Sequence, residues 1–228
     1  MTVIIPLAGH GTRLRPLTFS IPKPLLLCAG DTVLGWIFKS IIPLSPSEII
    51  LIIGYKGDII KSWVRERYSD LPVKCVVQEE ARGLGHAIWK AGEVISPEKD
   101  VLIYLGDSVF DLDWSLIKGG KDNFVGVKKV ENPQRFGIVE VEGGKIIDLT
   151  EKPDEPSSNL AVVGLYYVKK WDFLYRQLNY LIEENIKTKN EYQLTDALKL
   201  MLERGNIELK TIPVESWYDC GKTDTLLQ

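Results

Sequence analysis

The first half of the chain alternates short apolar runs with amphipathic stretches. Residues 2–7 are almost entirely apolar and stop at a glycine-containing loop, the pattern of a buried strand feeding a turn. Residues 32–42 space Val33, Leu34, Trp36, Ile37, Ile41 and Ile42 as one helical face, with Asp31 set to cap it. Residues 48–53 are rich in β-branched side chains and predict a strand. Asp58 then precedes Ile59, Ile60, Trp63 and Val64, a helical stripe with charges on its other face. VKCVVQ, LGHAIWKAGEVI and DVLIYLGD repeat the strand, helix, strand order. Such alternation predicts parallel strands joined by right-handed helical crossovers.

After Asp107 the period changes. Residues 124–130, 136–142, 144–149 and 160–168 predict strands, with ENPQR and EKPDEPSSN as loops. Two helices follow, the second carrying Leu194, Ala197, Leu198, Met201 and Leu202 on one face and stopping at Gly205. A last strand, IELKTIPV, leads into SWYDCG. The expected fold is α/β: a Rossmann-like mixed, mainly parallel sheet flanked by helices, with a β-rich portion inserted, and residues 1–228 as one domain. In such sheets ligands sit beyond the carboxyl ends of the strands, which directs attention to the loops after Leu7, Val77, Leu105 and Tyr218.

Composition narrows the chemistry. Apolar residues make up 45% and charged ones 26%, which suits a packed core, and the formal charge of −3 is spread without long runs. A broad nucleic-acid surface is therefore not expected, and an anion must be held by locally placed cations. Cys28, Cys75 and Cys220 are odd in number and far apart, so they are read as small buried apolar residues in a reducing cytoplasm. Trp36, Trp63 and Trp89 are likewise read as core. The first residues lack a basic leader, and no apolar stretch has the length of a membrane span, so neither signal peptide nor membrane contact is expected.

The loop after the first strand is LAGHGTRLRPLTFSIPKPLL. Gly9 and Gly11 allow the backbone to approach a ligand, and Arg13 and Lys23 add positive charge that a polyphosphate would neutralise. The spacing is neither a Walker A loop nor a dinucleotide fingerprint. Asp107 and Asp219 each stand just past a strand, and Mg²⁺ takes one or two carboxylates together with phosphate oxygens. Asp111-Leu112-Asp113 offers a second acidic motif, of the kind with which glycosyltransferases hold a nucleotide-sugar's metal, although Asp113 before WSLI reads better as a helix cap.

AGHGTRLRPLT followed by PKPLL resembles the signature of the sugar nucleotidylyltransferases. The resemblance continues in order through VVQEEARGLGHAI, YLGD, RFGIVEV, EKP, NLAVVGLYY, EYQLTDAL and WYDCG. It implies an enzyme that joins a nucleoside triphosphate to a sugar-1-phosphate. Leu7, Ala8, Gly9, Gly11, Thr12 and Arg13 would wrap the nucleotide, with Arg13 on the outer phosphates and Lys23 on the phosphate under attack. Gln78 and Gly83 would read the base edge, and Asp107 and Asp219 would hold Mg²⁺. Gly137, Glu151, Val162 and Tyr166 would line the sugar pocket, with Lys152 on the sugar phosphate. The Gln78 amide carries an acceptor beside a donor, which complements uracil or thymine, and the same amide turned over matches cytosine. A metal-dependent glycosyltransferase and a cytidylyltransferase for small phosphorylated alcohols are the alternatives. The chain departs from the family at Ser108, and at Lys189-Asn190, where the resemblance leaves open whether Lys189 stands for a phosphate-binding arginine. It also ends soon after WYDCG, from which unregulated, hyperbolic kinetics are expected.

Overall fold

The computed structural model describes residues 1–117, 122–205 and 207–221. The first half is built as the apolar pattern requires. β1 (Thr2–Pro6) leads through the glycine loop to a two-strand ribbon, β2 (Leu27–Cys28) and β3 (Asp31–Thr32), and then to α1 (Val33–Ile41). β4 (Glu48–Ile53), α2 (Gly57–Arg67), β5 (Val73–Val77), α3 (Leu84–Lys90) and β6 (Val101–Tyr104) follow. β1, β4, β5 and β6 pair in parallel. Their residues are apolar at successive positions because the inner strands are covered on both faces. Val3 and Ile5 join one core cluster with α1 and α2, while Ile4 joins the other with α3.

The second half makes the sheet mixed, adding antiparallel pairings and one further parallel pair. It comprises β7 (Ser108–Asp111), β8 (Asn123–Lys129), β9 (Gly137–Glu142), β10 (Lys145–Glu151), β11 (Leu160–Val168), α4 (Trp171–Glu183), α5 (Leu194–Gly205), β12 (Leu209–Pro213) and β13 (Ser216–Asp219). The main sheet has nine strands in the order β5-β4-β1-β6-β11-β8-β12-β10-β9, and β9 also touches β11. α4 and α5 pack on the same side as α3. Outside this sheet, β7 and β13 form an antiparallel ribbon that pairs Asp219 with Ser108. Among the described residues no helix is long and apolar enough to cross a membrane.

Four local expectations are corrected. The cap of α1 is Thr32, whose hydroxyl accepts from the Gly35 N–H at 2.9 Å. Asp31 instead binds Lys39 at 2.8 Å and Arg67 at 3.2 Å, and the Lys39 ammonium holds its carboxyl below the usual range. The helix expected over 84–95 is α-helical only to Lys90 and tightens to a 3-10 turn over Ala91–Glu93, where Gly92 lies against the Tyr175 ring of α4 and a Cβ would fall 2.0 Å from a ring carbon. Cys220 is buried, but Cys28 is half-buried and Cys75 is exposed, since β5 is a sheet edge. Trp36, Trp63 and Trp89 are half-buried at the margins of the core, and Trp36 donates to the Cys28 carbonyl at 2.7 Å.

Candidate active site

A cleft of about 410 Å³ opens beyond the carboxyl ends of β1, β5 and β6. Leu7, Ala8 and Gly9 form its floor, Arg13 and Lys23 its cationic wall, Gln78 and Gly83 one side, and Asp107 the other. Three of the four loops singled out in the sequence thus meet in one place. Gly11 and Thr12 are not part of the lining. Gly11 turns the chain at φ 61 into a short 3-10 turn over Thr12–Leu14, and its carbonyl accepts from the Thr18 hydroxyl at 2.8 Å.

The fourth loop meets the cleft through the β7–β13 ribbon. The Cys220 N–H donates to the Asp107 carbonyl at 2.8 Å, and Asp219 stands opposite Ser108, so both aspartates lie at one end of the ribbon. Lys23 Nζ is 2.6 Å from Asp107 Oδ2. Asp219 Oδ1 accepts from the Gly221 N–H at 2.9 Å, and Oδ2 is 3.7 Å from Arg135. A Cβ at Gly221 would lie 2.6 Å from Asp219 Oδ1 and 3.6 Å from Lys23 Nζ, which shows how closely the lysine and the second carboxylate converge. Arg135 was not foreseen. It lies in RFGIVEV, but its contact to Asp219 depends on pairing that the sequence does not display.

The residues expected on the sugar side also cluster. A Cβ at Gly137 would lie 3.2 Å from Glu151 Oε2, 3.3 Å from the Thr195 methyl and 3.7 Å from a Val162 methyl. Glu151 is gripped on both oxygens, by Lys152 Nζ on Oε1 at 2.8 Å and by the Thr195 hydroxyl on Oε2 at 2.6 Å. Tyr166 is buried in β11, opposite Ile103 of β6 and Val125 of β8. Its phenol is raised well above the ordinary tyrosine value, first by burial and then by the charges of Glu151 and Asp107. Asp196, one residue past Thr195, has its carboxyl raised chiefly by burial and also by Glu151. Thr195 and Asp196 belong to EYQLTDAL, yet nothing in that motif announces contact with a residue so distant in the chain. Lys189 binds Asp154 at 3.2 Å, beside the loop that follows Lys152.

The base side is more constrained than expected. Gln78 is buried, and its side-chain nitrogen donates to the Gly83 carbonyl at 3.3 Å and lies 2.9 Å from His86 Nδ1. Gly83 has φ 108, and a Cβ there would fall 2.5 Å from the Tyr192 carbonyl oxygen. Glycine is required because the ARGLG loop rests directly on the backbone of EYQL. His10 is exposed and stacks on Tyr55 at 5.2 Å. Asp113 accepts from the Ser115 N–H at 2.9 Å and caps a 3-10 turn, as its position before WSLI predicts.

The sequence profile of the family described as nucleotidyl transferase matches residues 2–228. The low-salt glycan biosynthesis nucleotidyltransferase Agl11 of Haloferax volcanii is 33% identical over 96% of this chain and 62% of its own length. The bifunctional protein GlmU of Methanococcus aeolicus is 34% identical over 100% of this chain and 53% of its own. The chain thus spans little more than half the length of these relatives. The UTP–glucose-1-phosphate uridylyltransferase AglF of Haloferax volcanii is 28% identical, over 95% of this chain and 89% of its own. A crystal structure of a candidate glucose-1-phosphate thymidylyltransferase from Bacillus anthracis, in complex with sucrose, superposes with a TM-score of 0.82 at 25% identity. That match covers 99% of this chain and 92% of the other.

Proposed function

The chain belongs to the nucleotidyl transferase family, and on that premise we propose that it joins a nucleoside triphosphate to a sugar-1-phosphate, releasing pyrophosphate. One observation carries the reading: Lys23 and Asp107 stand in the glycine-loop cleft with Asp219 beside them, and Asp219 reaches Arg135, two residues before Gly137 of the Glu151-Lys152 cluster. The triphosphate is assigned to the cleft and the sugar phosphate to the Glu151-Lys152 cluster.

Arg13 faces the outer phosphates. Lys23 stands at the junction, where the α-phosphorus would be attacked, and Lys152 holds the sugar phosphate. A bond forms between a sugar-phosphate oxygen and the α-phosphorus, while the bond from that phosphorus to the bridging oxygen breaks and pyrophosphate leaves. The second pKa of a phosphate monoester is about 6, so the nucleophile is already ionised at neutral pH and needs no general base. In keeping with that, neither His10 nor His86 lines the cleft. The neighbouring carboxylates of Asp107 and Asp219 suit Mg²⁺, which takes one or two carboxylates and completes its shell with phosphate oxygens and water. Bound there, Mg²⁺ would neutralise charge on the α-phosphate and the departing pyrophosphate.

A pyrimidine triphosphate, UTP or dTTP, and glucose-1-phosphate are the proposed pair. The Gln78 amide and the similarity to AglF and to the Bacillus anthracis protein support that choice. We read residues 1–228 as one catalytic domain working in the cytoplasm, where separate thiols persist. The glycosyltransferase alternative is weakened because Asp113 is engaged as a cap. Pyrophosphate release from UTP, dTTP, CTP, GTP and ATP with a panel of sugar-1-phosphates tests the proposal. Metal-dependent release with a pyrimidine nucleotide is expected. No release with any pair, but turnover of a nucleotide-sugar with an acceptor, would establish the glycosyltransferase instead.

A further inference from the structure

The Gln78 amide is held in one orientation. Its nitrogen faces the Gly83 carbonyl oxygen, and a carbonyl can only accept, so the NH₂ end must point that way. His86 Nδ1, 2.9 Å from the same nitrogen, then has to accept the second hydrogen. That requires the neutral ring carrying its proton on Nε2. The surroundings favour this form. His86 is buried, with its ring 5.6 Å from Trp89 and 6.3 Å from Tyr192. Burial, then the charges of Arg82 and Lys90, hold its pKa below the ordinary histidine value against the weaker opposition of Glu80 and Glu79. Both amide hydrogens are thereby engaged inward, and Gln78 offers the cleft its carbonyl oxygen alone.

We propose that His86 is a positioning residue for base selection: by accepting from Gln78 it fixes an acceptor toward the base. The inference rests on the reading that a nucleotide base lies against Gln78. An acceptor matches the ring N–H of uracil or thymine. Cytosine presents a bare nitrogen at that position and must shift to offer its amino group. Discrimination therefore resides in the first turn of α3, behind the residue that touches the base.

The test uses binding without turnover: calorimetric titration of the full chain with UTP and, separately, CTP. The unaltered protein is expected to prefer UTP by about tenfold or more, the scale of one hydrogen bond made or lost in a buried site. His86→Phe keeps the ring contacts with Trp89 and Tyr192 but has no acceptor, and should bring the two affinities within about threefold of each other. His86→Asn restores an acceptor and should recover most of the preference. In a Gln78→Ala background, His86→Phe should change nothing further. Independently of any variant, ¹⁵N spectra of the histidines should show His86 protonated on Nε2 at neutral pH. Equal affinities in the unaltered protein, an undiminished preference in a folded His86→Phe, or an Nδ1-protonated ring would each overturn the proposal. Failure of both nucleotides to bind would instead overturn the nucleotide reading, and this inference with it.

Discussion

Replacing Thr195 by valine removes one hydroxyl and keeps the methyl that packs beside Gly137 and Val162. The lost bond is the 2.6 Å donation to Glu151 Oε2, made by a residue that is 4% exposed. The other oxygen of Glu151 is held by Lys152, whose side chain is 41% exposed. Such a half-exposed pair contributes about 0–1 kcal/mol. The buried bond to a charged acceptor contributes about 1.5–3 kcal/mol, so the hydroxyl dominates the positioning of Glu151. At 1.4 kcal/mol per tenfold, Thr195→Val should lower kcat/KM for the sugar phosphate by roughly 10- to 150-fold. The proposed nucleotide cleft is lined chiefly by the loops after β1, β5 and β6, with Glu191 alone from the segment before α5, so KM for the triphosphate should stay within about twofold. Initial rates of pyrophosphate release, with each substrate varied against saturating partner, separate the two constants. Thr195→Ser retains the hydroxyl and should stay near the original rate. A variant that weakens the nucleotide constant and spares the sugar one would refute the placement of the sugar pocket.

Asp107→Asn and Asp219→Asn should each reduce turnover by about a hundredfold or more while melting cooperatively, whereas Asp111→Asn should be nearly silent. Activity lost in Asp111→Asn and kept in Asp107→Asn would refute the proposed metal site. Gly83→Ala combines φ 108 with a Cβ 2.5 Å from backbone oxygen, so denaturant unfolding should show a loss of roughly 2–5 kcal/mol. Gly9→Ala meets nothing within 4 Å and should fold within about 0.5 kcal/mol of the original, yet raise KM for the triphosphate because its methyl enters the cleft. The reverse pattern, a stable Gly83→Ala and an unstable Gly9→Ala, would contradict these placements.

The parallel half was legible because its inner strands are apolar at nearly every position, the pattern of a sheet covered on both faces. Local signals were less secure: the cap of α1 fell one residue later than expected, since Asp31 serves Lys39 and Arg67. The β7–β13 ribbon could not be read. Each strand has four residues, too few for a period, and their pairing is wholly long-range. Within the site, groups that face the cleft carried their own marks, a glycine loop, a lysine, a strand-end aspartate. Thr195, Arg135 and His86 did not, because each acts on a neighbour brought in by the fold. Gln78 was found as a residue, but its orientation is set by Gly83 and His86 and is invisible without them.

The ribbon also gives the protein a built-in timetable. Translation delivers the glycine loop, Lys23 and Asp107 early, and Asp219 only after β12 has emerged. Joining Ser108 to Asp219 closes a loop of nearly half the chain, an entropic step that other packed elements must already have made affordable. A chain that stops short of β13 carries the glycine loop, Lys23 and Asp107 but lacks Asp219. The proposed carboxylate pair is therefore a long-range property of the fold, absent until β7 and β13 have met.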